Sequence, residues 1–147
     1  MPTGFKELLE LFNSHQVEYI LVGAYALAFH GAPRFTGDLD IFVKPDAPNS
    51  TRVMAALSDF GFGSIGLSIE DFVKADQVTQ LGVPPVRIDL ITGISGVSWD
   101  RAAAGSMAAN LDGIPVRFIG RADLSQTSAR QAARRTSPIW KHWENPD

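Results

Sequence analysis

The chain contains no cysteine, which excludes disulfides, thiolate metal sites and a cysteine nucleophile. Histidine is scarce as well, with three in the whole chain and no cluster beside the acidic residues, which argues against a histidine-based phosphohydrolase. No apolar run approaches the roughly 20 residues that a membrane-crossing helix needs, and the N-terminus lacks a basic segment followed by an apolar one. These absences lead us to expect a soluble, cytoplasmic protein without a membrane partner. Internal repeats and low-complexity linkers are also missing. At 147 residues and 45% hydrophobic content, the chain is expected to form one domain, residues 1–147, with a true core.

Charge is present but unevenly spread. The formal net charge is −3, and it divides into −6 over residues 1–100 and +3 over residues 101–147. The basic C-terminal part suits a polyanion or a nucleotide phosphate, and equally a solvated helix face or docking onto the acidic body.

Residues 19–43 concentrate the chemistry. Tyr19–Val22 is an apolar run of strand length, Gly23 ends it, and Ala24–His30 is rich enough in alanine and leucine for a short helix. A glycine at such a turn lets a bound group approach the backbone, and the first N–H groups of a helix attract anions, so a phosphate is the natural guest. After Gly31 and Pro33 the chain reads Asp38-Leu39-Asp40-Ile41-Phe42-Val43. This alternation puts Asp38 and Asp40 on one face of a strand, roughly 6.5 to 7 Å apart at Cα. Two carboxylates so placed repel each other, and a divalent cation is the simplest compensation. A third, Asp89, stands alone in the apolar run Val86–Ile91, where a buried charge is expensive. Three carboxylates on neighbouring strands make an oxygen-rich site suited to Mg²⁺ or Mn²⁺ and to phosphoryl transfer. Arg34, just before the acidic strand, reads as a phosphate contact or as an ion-pair partner of Asp38 or Asp40.

The remaining segments supply the scaffold. Phe5, Leu8, Leu9 and Phe12 recur at helical spacing after Thr3, and His15 follows as a charge at the helix end. Asn49 or Ser50 is expected to cap a helix whose inner face is Val53, Met54, Leu57 and Phe60. Gly61–Gly66 fits G-x-G-x-x-G but follows a helix instead of a strand, so it reads as a helix-exit loop. A short helix at 68–72, a strand at 77–81 and the Gly/Pro turn 82–85 lead into the Asp89 strand, making a hairpin that can bring Asp89 to the Asp38/Asp40 face. Residues 99–109 read as an alanine-rich helix, Asp112-Gly113 as a turn, Ile114–Ile119 as a last strand and 125–135 as a final helix, followed by an amphipathic turn with Trp140 and Trp143. Ser95 and Ser98 lack the context of a serine nucleophile. Alternating helices and strands give an α/β class: a mixed sheet flanked by helices.

Val22-Gly23-Ala24, His30-Gly31, Pro33-Arg34, Asp38-Leu39-Asp40-Ile41 and Arg87-Ile88-Asp89-Leu90, in this order and spacing, resemble the polymerase-β-type nucleotidyltransferase superfamily. The resemblance is to its small bacterial members, the minimal nucleotidyltransferases and AbiEii-like toxin components, and spans about residues 18–124. It implies a nucleotidyltransferase-like fold and transfer of a nucleoside monophosphate from an NTP to an acceptor hydroxyl, with release of pyrophosphate. Asp38 and Asp40 would hold the metal on the triphosphate, and Asp38, Asp40 and Asp89 a second that activates the acceptor. Gly23 and Ala24 would present backbone N–H groups to the phosphates. The acceptor implied is a tRNA, a protein or a small molecule, and a cognate partner protein of a toxin–antitoxin pair is a further expectation.

Two features depart from that pattern. The turn is Gly23-Ala24 where the superfamily usually has Gly-Ser or Gly-Gly, and the Gly-Arg-Pro-x-Asp ending of small members is absent after Asp123-Leu124. They motivate an alternative expectation, a catalytically degenerate binding module of the same fold that acts through a protein partner.

Overall fold

A computed structural model describes residues 3–31, 38–62, 66–83, 86–94 and 96–124. Arg34, the 125–135 segment, Trp140, Trp143, Ser95 and the middle of the Gly61–Gly66 stretch lie outside the described residues.

Helix α1 (Thr3–Ser14) buries Phe5, Leu8, Leu9 and Phe12, the stripe that its sequence spacing predicts. Strand β1 (Tyr19–Val22) runs directly into α2 (Gly23–Phe29), and β2 (Asp38–Val43) returns antiparallel beside β1. Helix α3 (Ala47–Leu57) follows and buries Val53, Ala56 and Leu57, with Met54 and Phe60 only partly covered. Its cap differs from the expected one. Asp46 accepts a hydrogen bond from the Asn49 backbone N–H at 2.8 Å, placing Asn49 and Ser50 inside the first turn. The Asn49 side chain instead holds elements together. Its carboxamide bonds Glu18 N and O and Lys44 O, pinning α3 to the entry of β1 and the exit of β2. His15, past the end of α1, pairs with Asp59 at 2.7 Å.

A short 3₁₀ turn (Ile69–Phe72) precedes the hairpin of β3 (Val78–Val83) and β4 (Val86–Ile91). The hairpin docks with β4 parallel to β2. Helix α4 (Trp99–Gly105) is shorter than expected, and residues 107–109 belong to a strand, β5 (Met107–Leu111), antiparallel to β6 (Ile114–Phe118). The reason is the turn between them. Asp112 (φ 52°) and Gly113 (φ 83°) both adopt the left-handed conformation that joins two strands tightly, and this overrides the helix preference of alanine.

The six strands form one mixed sheet in the order β3-β4-β2-β1-β6-β5. No helix among the described residues is long and apolar enough to cross a membrane.

Candidate active site

The site is built on β2 and β4, neighbouring parallel strands of the sheet. Their register pairs Asp38 with Arg87, and Asp40 with Asp89. Paired residues on adjacent strands project from the same face about 4.8 Å apart, so all four side chains share one face, in two successive rows. The Asp40–Asp89 row continues on one side to Val22 of β1 and on the other to Gln80 of β3. Between these polar residues lie Leu39, Ile41, Ile88 and Leu90, which point the other way into the core.

Asp40 and Asp89 are 1% and 2% exposed, far from what an ordinary surface carboxylate shows. Asp38 and Arg87, one row closer to the strand starts, are partly exposed. The Arg87 guanidinium donates from Nη2 to Asp38 Oδ2 at 2.8 Å, a charge-assisted hydrogen bond, and its Nε stands 3.6 Å from Asp89 Oδ1. The second distance is electrostatic contact without a hydrogen bond, and Nε has no hydrogen-bond partner among the described residues.

Gly23 completes the arrangement. Its φ of +69° is the left-handed conformation that glycine adopts without penalty, and a Cβ there would collide with Asp40 Oδ2. The expected reason for a glycine was access of a bound group to the backbone. What lies against Gly23 is the carboxylate of Asp40, so the turn between β1 and α2 is shaped around the acidic row. Ala24 follows in the first turn of α2, half-buried.

The sequence-derived site residues therefore separate cleanly. Asp38, Asp40, Asp89 and Gly23 come together, Ala24 adjoins them, and Arg34 lies outside the described residues. His30 hydrogen-bonds the Ile119 carbonyl at 2.7 Å, tying the end of α2 to the end of β6. Sequence reasoning misses Arg87 and Gln80. A strand repeats every two residues, so Arg87 and Asp89 point the same way. The signal is there in the Arg-x-Asp spacing. Gln80 has none, because only the pairing of β3 with β4 puts it beside Asp89.

A hard divalent cation matches the donor chemistry of this face, which offers three carboxylates and a glycine cradle that aims one of them. Even so, among the described residues no group of three or more His, Cys, Asp or Glu side chains is gathered closely enough to hold a metal ion. A cation that does stand at the carboxylates is the Arg87 guanidinium. A cavity of about 410 Å³ opens elsewhere, at the start of β1, lined by residues that include Tyr19, Ile20, Trp99 and Arg117. It contains none of the acidic row.

A strand, glycine turn and helix feeding an acidic strand at the centre of a mixed sheet define the nucleotidyltransferase fold, and comparison with solved structures agrees. The chain is similar to a protein of Thermotoga maritima described as a nucleotidyltransferase (TM-score 0.61, 12% identity, 97% of this chain and 91% of that one). It is also similar to the antibiotic-resistance factor ANT(2'')-Ia (TM-score 0.54, 14% identity, 97% of this chain and 78% of that one). At these identities the likeness is one of fold. No protein-family model matches the chain, and no curated protein is significantly similar to it in sequence.

Proposed function

We propose that the chain is a metal-dependent nucleotidyltransferase that moves a nucleoside monophosphate from an NTP to an acceptor hydroxyl. The observation that carries this reading is the register of Asp40 against Asp89, both buried, at the exit of the Gly23 turn. Neighbouring buried carboxylates are costly to stability, and they fit a fold used for phosphoryl transfer.

Mg²⁺ or Mn²⁺ held by Asp38, Asp40 and Asp89 would neutralise the triphosphate and lower the barrier to displacement at phosphorus. The chain's own residues do the rest. The Gly23-Ala24 backbone, with Arg34, orients the phosphates, and Asp89 accepts the proton of the acceptor hydroxyl as its oxygen bonds to the α-phosphorus and the bond to pyrophosphate breaks. The acidic body disfavours broad binding to RNA, where neutralisation of phosphates by basic groups dominates affinity. The likeness to an antibiotic-resistance factor makes a small hydroxylated molecule the first acceptor to try, before tRNA or a protein. We place the protein in the cytoplasm, where NTPs are available.

A second reading, a non-catalytic binding module such as half of a toxin–antitoxin pair, is favoured by one observation: Arg87 already compensates the carboxylates. Incubation with Mg²⁺ or Mn²⁺, labelled NTPs and pools of small molecules, RNA and protein separates the two. Label transfer by the wild type that falls about 10³-fold or more in Asp40→Asn, the scale of losing one charge-stabilising group, supports the enzyme. Wild type equal to Asp38→Ala, with no transfer from any NTP, supports the module.

A further inference from the structure

The acidic face holds a cation of its own. Arg87 is hydrogen-bonded to Asp38 and stands 3.6 Å from Asp89, between the two carboxylates that would share a metal. Its grip is unequal: one proper hydrogen bond toward Asp38, and toward Asp89 an Nε without a hydrogen-bond partner among the described residues. A divalent cation entering between Asp38 and Asp89 therefore meets the repulsion of the guanidinium charge.

We propose that Arg87 is a resident counter-cation of the acidic face and competes with divalent metal for Asp38 and Asp89, so that metal is admitted together with a triphosphate and not before it. The triphosphate resolves the competition from both sides. It offers the guanidinium a bidentate anionic partner and offers the metal further oxygens. Arg87 is thus a positioning residue: it offsets the negative charge of Asp38 and Asp89 while no metal is present and releases them when the substrate arrives. This inference rests on the nucleotidyltransferase reading only for the identity of the triphosphate.

The test is Mn²⁺ binding, followed by electron paramagnetic resonance and calorimetry, on wild type, Arg87→Met and Arg87→Lys, alone and with a non-hydrolysable NTP analogue. Removing a unit positive charge next to the site is expected to tighten binding of Mn²⁺ alone about tenfold or more in Arg87→Met, with Arg87→Lys between the two. The analogue should raise Mn²⁺ affinity strongly in the wild type and only slightly in Arg87→Met. Thermal denaturation gives a second readout. Arg87→Met should melt below the wild type without metal and regain the difference with Mn²⁺, a rescue that loss of a purely structural ion pair would not show. Should Arg87→Met not fold, the comparison of wild type with Arg87→Lys carries the test. Equal Mn²⁺ affinity in all three proteins, or tighter binding by the wild type alone, overturns the proposal. Failure of every protein to bind the analogue, with Mn²⁺ alone still tighter in Arg87→Met, sinks the nucleotidyltransferase reading and leaves the competition standing.

Discussion

Strands β2 and β4 bury two faces almost equally and for opposite reasons. On one face Leu39, Ile41, Ile88 and Leu90 are all within 4% of full burial, and on the other Asp40 and Asp89 are within 2%. The first face stabilises the fold, since burying a side chain of that size contributes about 1.5–3 kcal/mol. The second works against it, because carboxylates taken from water need a partner, and here Arg87 supplies part of the compensation. Equal burial thus conceals unequal purpose. A carboxylate row enclosed as fully as the apolar one is the reason the proposed chemistry is sited there.

The strongest test of this contrast exchanges one residue on each face. Leu39→Ala should lose about 2–5 kcal/mol of stability, the range for truncating a buried leucine. Asp40→Asn should hold stability level or raise it by relieving repulsion with Asp89, while the proposed nucleotide transfer disappears. Urea denaturation of the two variants decides the matter. If Asp40→Asn loses as much as Leu39→Ala, the carboxylate is a structural group and the two faces do the same job.

A smaller effect is expected at Gly23, where backbone and site meet. Gly23→Ala forces an alanine into a left-handed conformation, costing about 1–3 kcal/mol, and drives its Cβ against the Asp40 carboxylate. Gly113→Ala has similar strain at φ +83° with open space around the new methyl. The excess loss in Gly23→Ala over Gly113→Ala therefore measures the fit of Asp40 against the turn. No excess, by thermal denaturation of both, would mean that Asp40 moves aside freely and the cradle is not rigid.

Much of this contrast is legible without coordinates. Period-two alternation in Asp38–Val43 and around Asp89 exposes both faces, and Gly23 marks the turn, because local pattern determines which way a strand residue points. Pairing partners are another matter. Nothing in residues 78–83 says that Gln80 will stand beside Asp89, since register comes from the packing of a whole hairpin onto β2. The same limit explains α4. The alanines at 108 and 109 favour a helix locally, and only the Asp112-Gly113 hairpin, closing against β6, makes them a strand. Arg87 belongs to neither class, since its spacing from Asp89 is legible.

The weakest expected effect concerns Tyr19, which alternates with Ile20 and so shares the apolar side with Leu21 and Ile41. Burial pushes its hydroxyl well above the usual tyrosine range, and Tyr25 is raised as well, by burial and then by Asp112. A group whose pKa is raised on folding contributes stability that is fully present below its unfolded value, about 10, and is lost as pH climbs beyond it. The fold should therefore weaken above about pH 10, by up to roughly 1.4 kcal/mol per pH unit from Tyr19 and by less from Tyr25, whose greater exposure lets water screen its charge. Tyr19→Phe should flatten that alkaline slope, at the expense of the hydrogen bond to Asn13, worth about 1 kcal/mol at neutral pH. Urea midpoints from pH 8 to 11 supply the check. An unchanged slope in Tyr19→Phe would show that the hydroxyl ionises as freely in the folded protein as in the unfolded chain, and that the side carrying Leu21 and Ile41 is wetter than its apolar neighbours imply.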